Sequence, residues 1–149
     1  MCFIKVVDIR KDDNKNMVYE MSLQNEPYMS ISSGEKSVEL RLFDEKRRKL
    51  EIGDKIIFTN LSNEIERLAV EIKALYRYGS FKDLFDEIPK EKCGYLSDTT
   101  IEEAVITMRK YYSEEAETKW GVLGIKIEIY DLDKALAEQK SYVDNLYER

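Results

Sequence analysis

The stretch Ser33-Gly34-Glu35-Lys36-Ser37-Val38-Glu39-Leu40-Arg41-Leu42-Phe43-Asp44-Glu45-Lys46-Arg47-Arg48-Lys49 holds a strand signature and the one cationic concentration of the chain. From Val38 to Leu42 the residues alternate. Val38, Leu40 and Leu42 lie on one face, and Ser37, Glu39, Arg41 and Phe43 on the other, which is the period of a β-strand. Glu39 and Arg41 therefore share a side. Upstream, Asn25 or Glu26 can cap a short helix that tolerates Pro27 in its first turn, and Gly34 supplies the left-handed residue that ends it before Lys36.

Six basic residues fall in the sixteen positions from Gly34 to Lys49, while the whole chain carries a net charge of −6. That balance argues against indiscriminate binding to a polyanion, because non-specific affinity comes from neutralising phosphates. The charge is segregated, however: the tail from Tyr111 onward is strongly acidic. A basic groove on an acidic protein is thereby permitted.

The rest of the composition narrows the chemistry. The 149 residues include no histidine, so His-based nucleophile systems and His metal sites are excluded, and catalysis would fall to carboxylates, Lys, Tyr or Cys. Cys2 and Cys93 have no spaced Cys or His partners and read as reduced thiols, with no disulfide, no metal and no cofactor expected. No apolar run approaches a membrane span, and Met1-Cys2-Phe3-Ile4-Lys5 lacks the features of a signal peptide, so a cytoplasmic location without membrane contact is expected.

Only Pro27 and Pro89 interrupt the chain, and no linker or repeat is evident, which reads as one domain over 1–149. Phe3 to Ile9 and Met17 to Leu23 are β-rich around a turn-like Asp12-to-Asn16 segment, a hairpin-like start. Ile52-Gly53-Asp54 is a turn, after which Lys55 to Thr59 and Leu68 to Tyr76 read as strands in a meander. Ser80 can cap a short helix that Pro89 terminates. Thr99 with Glu102 forms a capping box for a longer helix with Ile101, Ala104, Val105, Met108 and Tyr112 as its buried stripe. Leu123, Ile125, Ile127 and Ile129 alternate in a last strand, and Asp131 to Arg149 reads as a charged terminal helix. Five or six strands with short helices and no βαβ rhythm predict an α+β fold: a small mixed or antiparallel barrel with helices clustered over one end.

The spacing Gly34-x-Lys36-x-x-Glu39-x-Arg41 resembles the G-x-K-x-x-E-x-R signature of the ASCH family. The Pro27-Tyr28 helix, Leu42-x-Asp44-x-Lys46-Arg47, Ile52-Gly53-Asp54 and the Tyr111-Tyr112 to Ile125 stretch also resemble bacterial members, over about residues 17–131. The resemblance implies a PUA-like β-barrel and an RNA-associated role, with Lys36, Glu39 and Arg41 in a cleft facing RNA or a modified nucleotide. Physically, Arg41 can grip phosphate or a base edge, Lys36 can supply a point charge, and Glu39 can accept from an exocyclic amine or orient Arg41. The plain alternative is a surface Glu39–Arg41 ion pair worth about 0–1 kcal/mol.

Lys46 and Arg47 are either a phosphate-contacting rim or a solvated turn. Tyr111, Tyr112 and Trp120 can stack bases, though Tyr112 falls on a core stripe and Trp120 beside Gly121 reads as a structural plug. Asp83, Asp86, Glu87, Asp98, Glu102 and Glu103 lack calcium-loop spacing and read as helix-capping and solvating groups. Two further readings stay open. Some very small ASCH proteins are amidohydrolases of N4-acetylcytidine using a Lys, a Thr and a Glu. Lys36 matches that Lys, but Glu39 stands at the Thr position, and alignment around Leu96 to Thr99 places no glutamate at the position of their Glu. Ribonuclease activity is also implied for the family, and the terminal helix can pack on a partner or a second copy of the chain.

Overall fold

The computed structural model describes residues 16–147. Five strands form one mixed sheet: β1 (Val18–Leu23), β2 (Val38–Leu42), β3 (Lys55–Asn60), β4 (Asn63–Tyr78) and β5 (Val122–Tyr130), in the spatial order β1-β3-β4-β5-β2. β1 runs parallel to β3 and the other neighbours are antiparallel. The sheet curls into a half-barrel. The described residues also form five helices, α1 (Asn25–Ser32), α2 (Phe81–Glu87), α3 (Ile101–Met108), α4 (Glu114–Trp120) and α5 (Leu132–Tyr147), with 3₁₀ turns at Arg47–Lys49 and Lys90–Cys93. The α+β barrel expected from the sequence is borne out, with five strands among the described residues.

Alternation explains how one sheet serves two cores. On one face Phe58, Ile72, Leu123 and Ile125 pack with Tyr28 and Ile31 of α1; on the other Val38, Leu40, Leu42 and Val122 pack with Phe81, Leu84, Ala104 and Met108 of α2 and α3. Fully burying a Val, Leu, Ile, Phe or Met side chain in such a core contributes roughly 1.5–3 kcal/mol of transfer free energy. Helices α2 and α3 thus share one core and α1 sits across the sheet, while Ala135 of α5 packs against Ile57 and Ala69. The helices are distributed and do not gather over one end.

Local chemistry places the ends. Asp54, fully buried, accepts from Met17 N at 2.8 Å and Glu51 N at 2.9 Å, which pins the start of β1 beside β3. Ser80 Oγ accepts from Asp83 N and caps α2 as expected.

Several expectations shift. The capping box uses Thr100 and Glu103, one residue beyond the expected Thr99 and Glu102, because the tandem Thr-Thr and Glu-Glu pairs offer both registers and the later one buries Ala104 and Met108. β4 begins at Asn63, ahead of Leu68, since its first residues are exposed on both faces and carry no alternation. β4 and β5 are spatial neighbours separated by three helices, so the meander is confined to β3–β4. Ile129 lies on the expected inner face of β5 but is exposed. Helix α4 had no apolar stripe to announce it. Of the expected Met17-to-Leu23 strand, Val18–Leu23 forms β1, but paired in parallel with β3; Phe3 to Ile9 lies outside the described residues.

Candidate functional site

The cleft begins where α1 ends. Ser33 N donates to Met29 O, Gly34 N to Ile31 O and Lys36 N to Ser30 O, with Gly34 at φ +85°, a conformation open to glycine at no steric cost. This sharp exit lays Lys36 beside the start of β2. Ser37 N then donates to Lys92 O, docking the 3₁₀ turn Lys90–Cys93 against the strand. Gly94 at φ +97° closes that turn, and a Cβ there would stand 3.2 Å from Lys36 Cδ.

Strand alternation turns Glu39 and Arg41 to the same side, and they meet Lys36 there. Lys36 Nζ lies 2.8 Å from Glu39 Oε1, and Arg41 Nη2 lies 2.8 Å from Glu39 Oε2. Arg41 Nε also donates to Oε2 at 2.9 Å, and Nη2 reaches Ser22 O of β1 at 3.1 Å. Glu39 is only 3% exposed. Burial by itself would raise its pKa, but the Lys36 and Arg41 charges and their hydrogen bonds outweigh it and hold the carboxyl below its ordinary value. This is a sealed cation–carboxylate–cation triad, so the surface-pair alternative does not describe Glu39.

The triad forms one end of a cleft of about 310 Å³ between α1, β2 and the C-terminal end of α3. Leu61 and the 55%-exposed Tyr111 stand at its mouth; Tyr112, half-buried, lines it while packing against Phe81 with ring centroids 5.9 Å apart. Cys93 also lines the cleft, and burial pushes its thiol pKa up to about 12, leaving a poor nucleophile.

Lys36, Glu39, Arg41, Tyr111 and Tyr112 therefore come together. Lys46 and Arg47 stand apart in a neighbouring basin that shares Arg41 with the cleft, Lys46 exposed and Arg47 paired with Asp44 at 3.2 Å. Trp120 packs against the α2–α3 core, away from the cleft, as a plug. Among the described residues no group of acidic or Cys side chains is arranged to hold a metal ion, and no helix is long and apolar enough to cross a membrane. Sequence reasoning missed Ser22, Cys93, Gly94, Tyr95 and Thr107 as cleft walls. Only Gly94 between Cys93 and Tyr95 signalled a tight turn there.

Residues 21–131 match the family model of the ASCH domain. The crystal structure of a hypothetical protein, PH0355, is 40% identical with a TM-score of 0.67, covering 76% of this chain and 100% of that one. The solution structure of PF0455 from Pyrococcus furiosus is 34% identical with a TM-score of 0.60, covering 77% and 99%. A mutant of ZmASCH from Zymomonas mobilis, 17% identical over 76% of this chain and 73% of that one, shares the fold with a TM-score of 0.52. No curated protein sequence matches the chain. With a family model spanning most of its length and 40% identity to a fully covered relative, this chain belongs to the ASCH domain family.

Proposed function

We propose that the cleft binds RNA or a nucleotide, with Lys36 and Arg41 as donors and Glu39 as the anion that positions them. The observation that carries this reading is the buried carboxylate fixing two cations at one end of a cleft whose mouth presents an exposed tyrosine. About 310 Å³ falls at the small end of the range for ligand pockets and suits a base-sized group. Tyr111 supplies a flat apolar face for stacking, worth roughly 1–3 kcal/mol per base. The remaining N–H groups of Lys36 and Arg41 suit base carbonyls or phosphate oxygens. Both Glu39 oxygens are already engaged, so its part is to orient the cations, and recognition of an exocyclic amine falls to other groups. Membership of a PUA-like family often linked to RNA supports the same reading.

A hydrolytic reading of this cleft needs a free general base close to the ligand. Glu39 has both oxygens taken by Lys36 and Arg41 and a lowered pKa that weakens it as a base, and the Cys93 thiol is protonated, which favours binding without turnover. Titration of short single-stranded RNAs and nucleosides, with products followed by mass spectrometry, tests the proposal. Arg41→Ala is expected to weaken retention at least tenfold, about 1.4 kcal/mol, with no product formed by the parent protein. Product that vanishes in Lys36→Ala would replace the binding reading with an enzymatic one.

A further inference from the structure

A second basin of about 480 Å³ adjoins the cleft, and the two share Arg41 and Ser22. Its wall carries Lys46, Arg47 and Lys49 from the segment after β2. The basic run there divides by use. Arg48 lies over the Phe43 ring, 4.4 Å from its centroid, and Arg47 is paired with Asp44. Lys46 and Lys49 are exposed and make no ion pair among the described residues. Against them the basin wall offers one carboxylate, Glu20, which accepts from Gln139 Nε2 at 3.0 Å. Arg47 Nε is buried without a hydrogen-bond partner, a donor that ordinarily costs about 1–3 kcal/mol to leave unmet. An acidic protein thus keeps a cationic basin one side chain away from its base-sized cleft.

We propose that this basin holds the phosphate of a nucleotide whose base occupies the cleft, with Arg41 at the junction. The ligand is then a nucleoside phosphate, free or within a strand, and not a bare nucleoside. This rests on the nucleotide-binding reading of the cleft. Two mobile ammonium groups give point-charge attraction to phosphate without fixing a sequence, while the fork of Arg41, held by Glu39 and Ser22, fixes where base and phosphate part.

Calorimetric titration of the four ribonucleosides, their 5′-monophosphates and a short single-stranded RNA tests this on the intact chain. The phosphorylated ligands are expected to bind at least tenfold more tightly than the matching nucleoside. In the double variant Lys46→Gln, Lys49→Gln that ratio should fall toward one with nucleoside affinity unchanged, and the salt slope for the strand should fall by about 0.7 for each phosphate no longer neutralised. A full gain with the monophosphate identifies a free nucleotide as sufficient; a gain in the strand alone identifies a polynucleotide, and both support the proposal. Equal affinity of nucleoside and phosphorylated ligands, or a ratio untouched by the double variant, overturns it. Failure of every ligand, phosphorylated or not, overturns the cleft reading and this inference with it.

Discussion

Replacing Glu39 by Gln removes the negative charge between Lys36 and Arg41 while keeping the side-chain shape. At an effective dielectric of about 20, each 2.8 Å contact has a gross Coulomb energy of about 6 kcal/mol, most of it offset by the cost of burying a carboxylate. After the substitution the two cations face each other with side chains only 10% and 14% exposed. Removing one partner of a buried pair costs about 3–5 kcal/mol; the opening of the cleft to water and the retained Arg41 bond to Ser22 O place this case near the lower end, about 3 kcal/mol. For a chain of this size that is a fall in Tm of roughly 6–12 °C. Urea unfolding at pH 7 measures it, with Lys36→Met and the double variant completing a cycle for the Lys36–Glu39 coupling. The pH dependence gives a second arm. Because the folded carboxyl titrates below its ordinary 4.5, its stabilisation is present above pH 4.5 and is lost as pH falls through the lower folded value. Stability should therefore fall more steeply below pH 4.5 in the parent than in Glu39→Gln. A loss under about 1 kcal/mol at pH 7, with parallel acid profiles, would refute the sealed triad and return the pair to ordinary surface electrostatics.

Glu117 is buried and accepts from Phe81 N and Arg109 Nη2, both at 2.6 Å, so Glu117→Ala should cost about 3–5 kcal/mol in urea unfolding and, where the protein stays folded, leave nucleotide affinity intact. Gly94→Ala and Gly34→Ala should each cost about 1–2 kcal/mol for forcing a left-handed backbone on alanine. Only Gly94→Ala should also weaken ligand binding, because its methyl meets the Lys36 stem whereas nothing lies within 4 Å of a Cβ at Gly34. The buried Cys93 thiol, with its pKa pushed up to about 12, should resist alkylation at about pH 8 in the native protein and react on unfolding, as read by peptide mapping.

Local patterns carried the parts of this molecule that depend on local chemistry. The alternation of β2 put Glu39 and Arg41 on one side, and Gly34 marked the end of α1, because strand period and left-handed backbone are properties of a few neighbouring residues. Lys36 joining Glu39 followed from the family signature alone, since its position depends on how the chain leaves α1. The parallel pairing of β1 with β3 was illegible: it links segments 37 residues apart through a crossover, with no turn to mark it. Helix α4 escaped for a different reason. Apart from Ala116 and Trp120 its residues are polar, and what holds it is a carboxylate, Glu117, which a hydrophobic pattern discards. The cleft walls at Cys93, Gly94 and Tyr95 come from a 3₁₀ turn docked by one backbone bond from Ser37, information that exists only in three dimensions.

The bond from Arg41 to Ser22 O spans the two edge strands of the sheet, β2 and β1, which do not pair with each other. A fully closed barrel would join its margins by a continuous main-chain ladder. Here one guanidinium serves as the clasp, and both margins are strands of five or six residues, short enough to offer little template to another chain. A ligand drawing on Arg41 acts at the fastening of the fold itself. If a ligand takes Arg41 away from Ser22 O, its binding is coupled to how β1 and β2 are held, and amide exchange along those two strands should then report binding more directly than exchange in the interior strands β3 and β4.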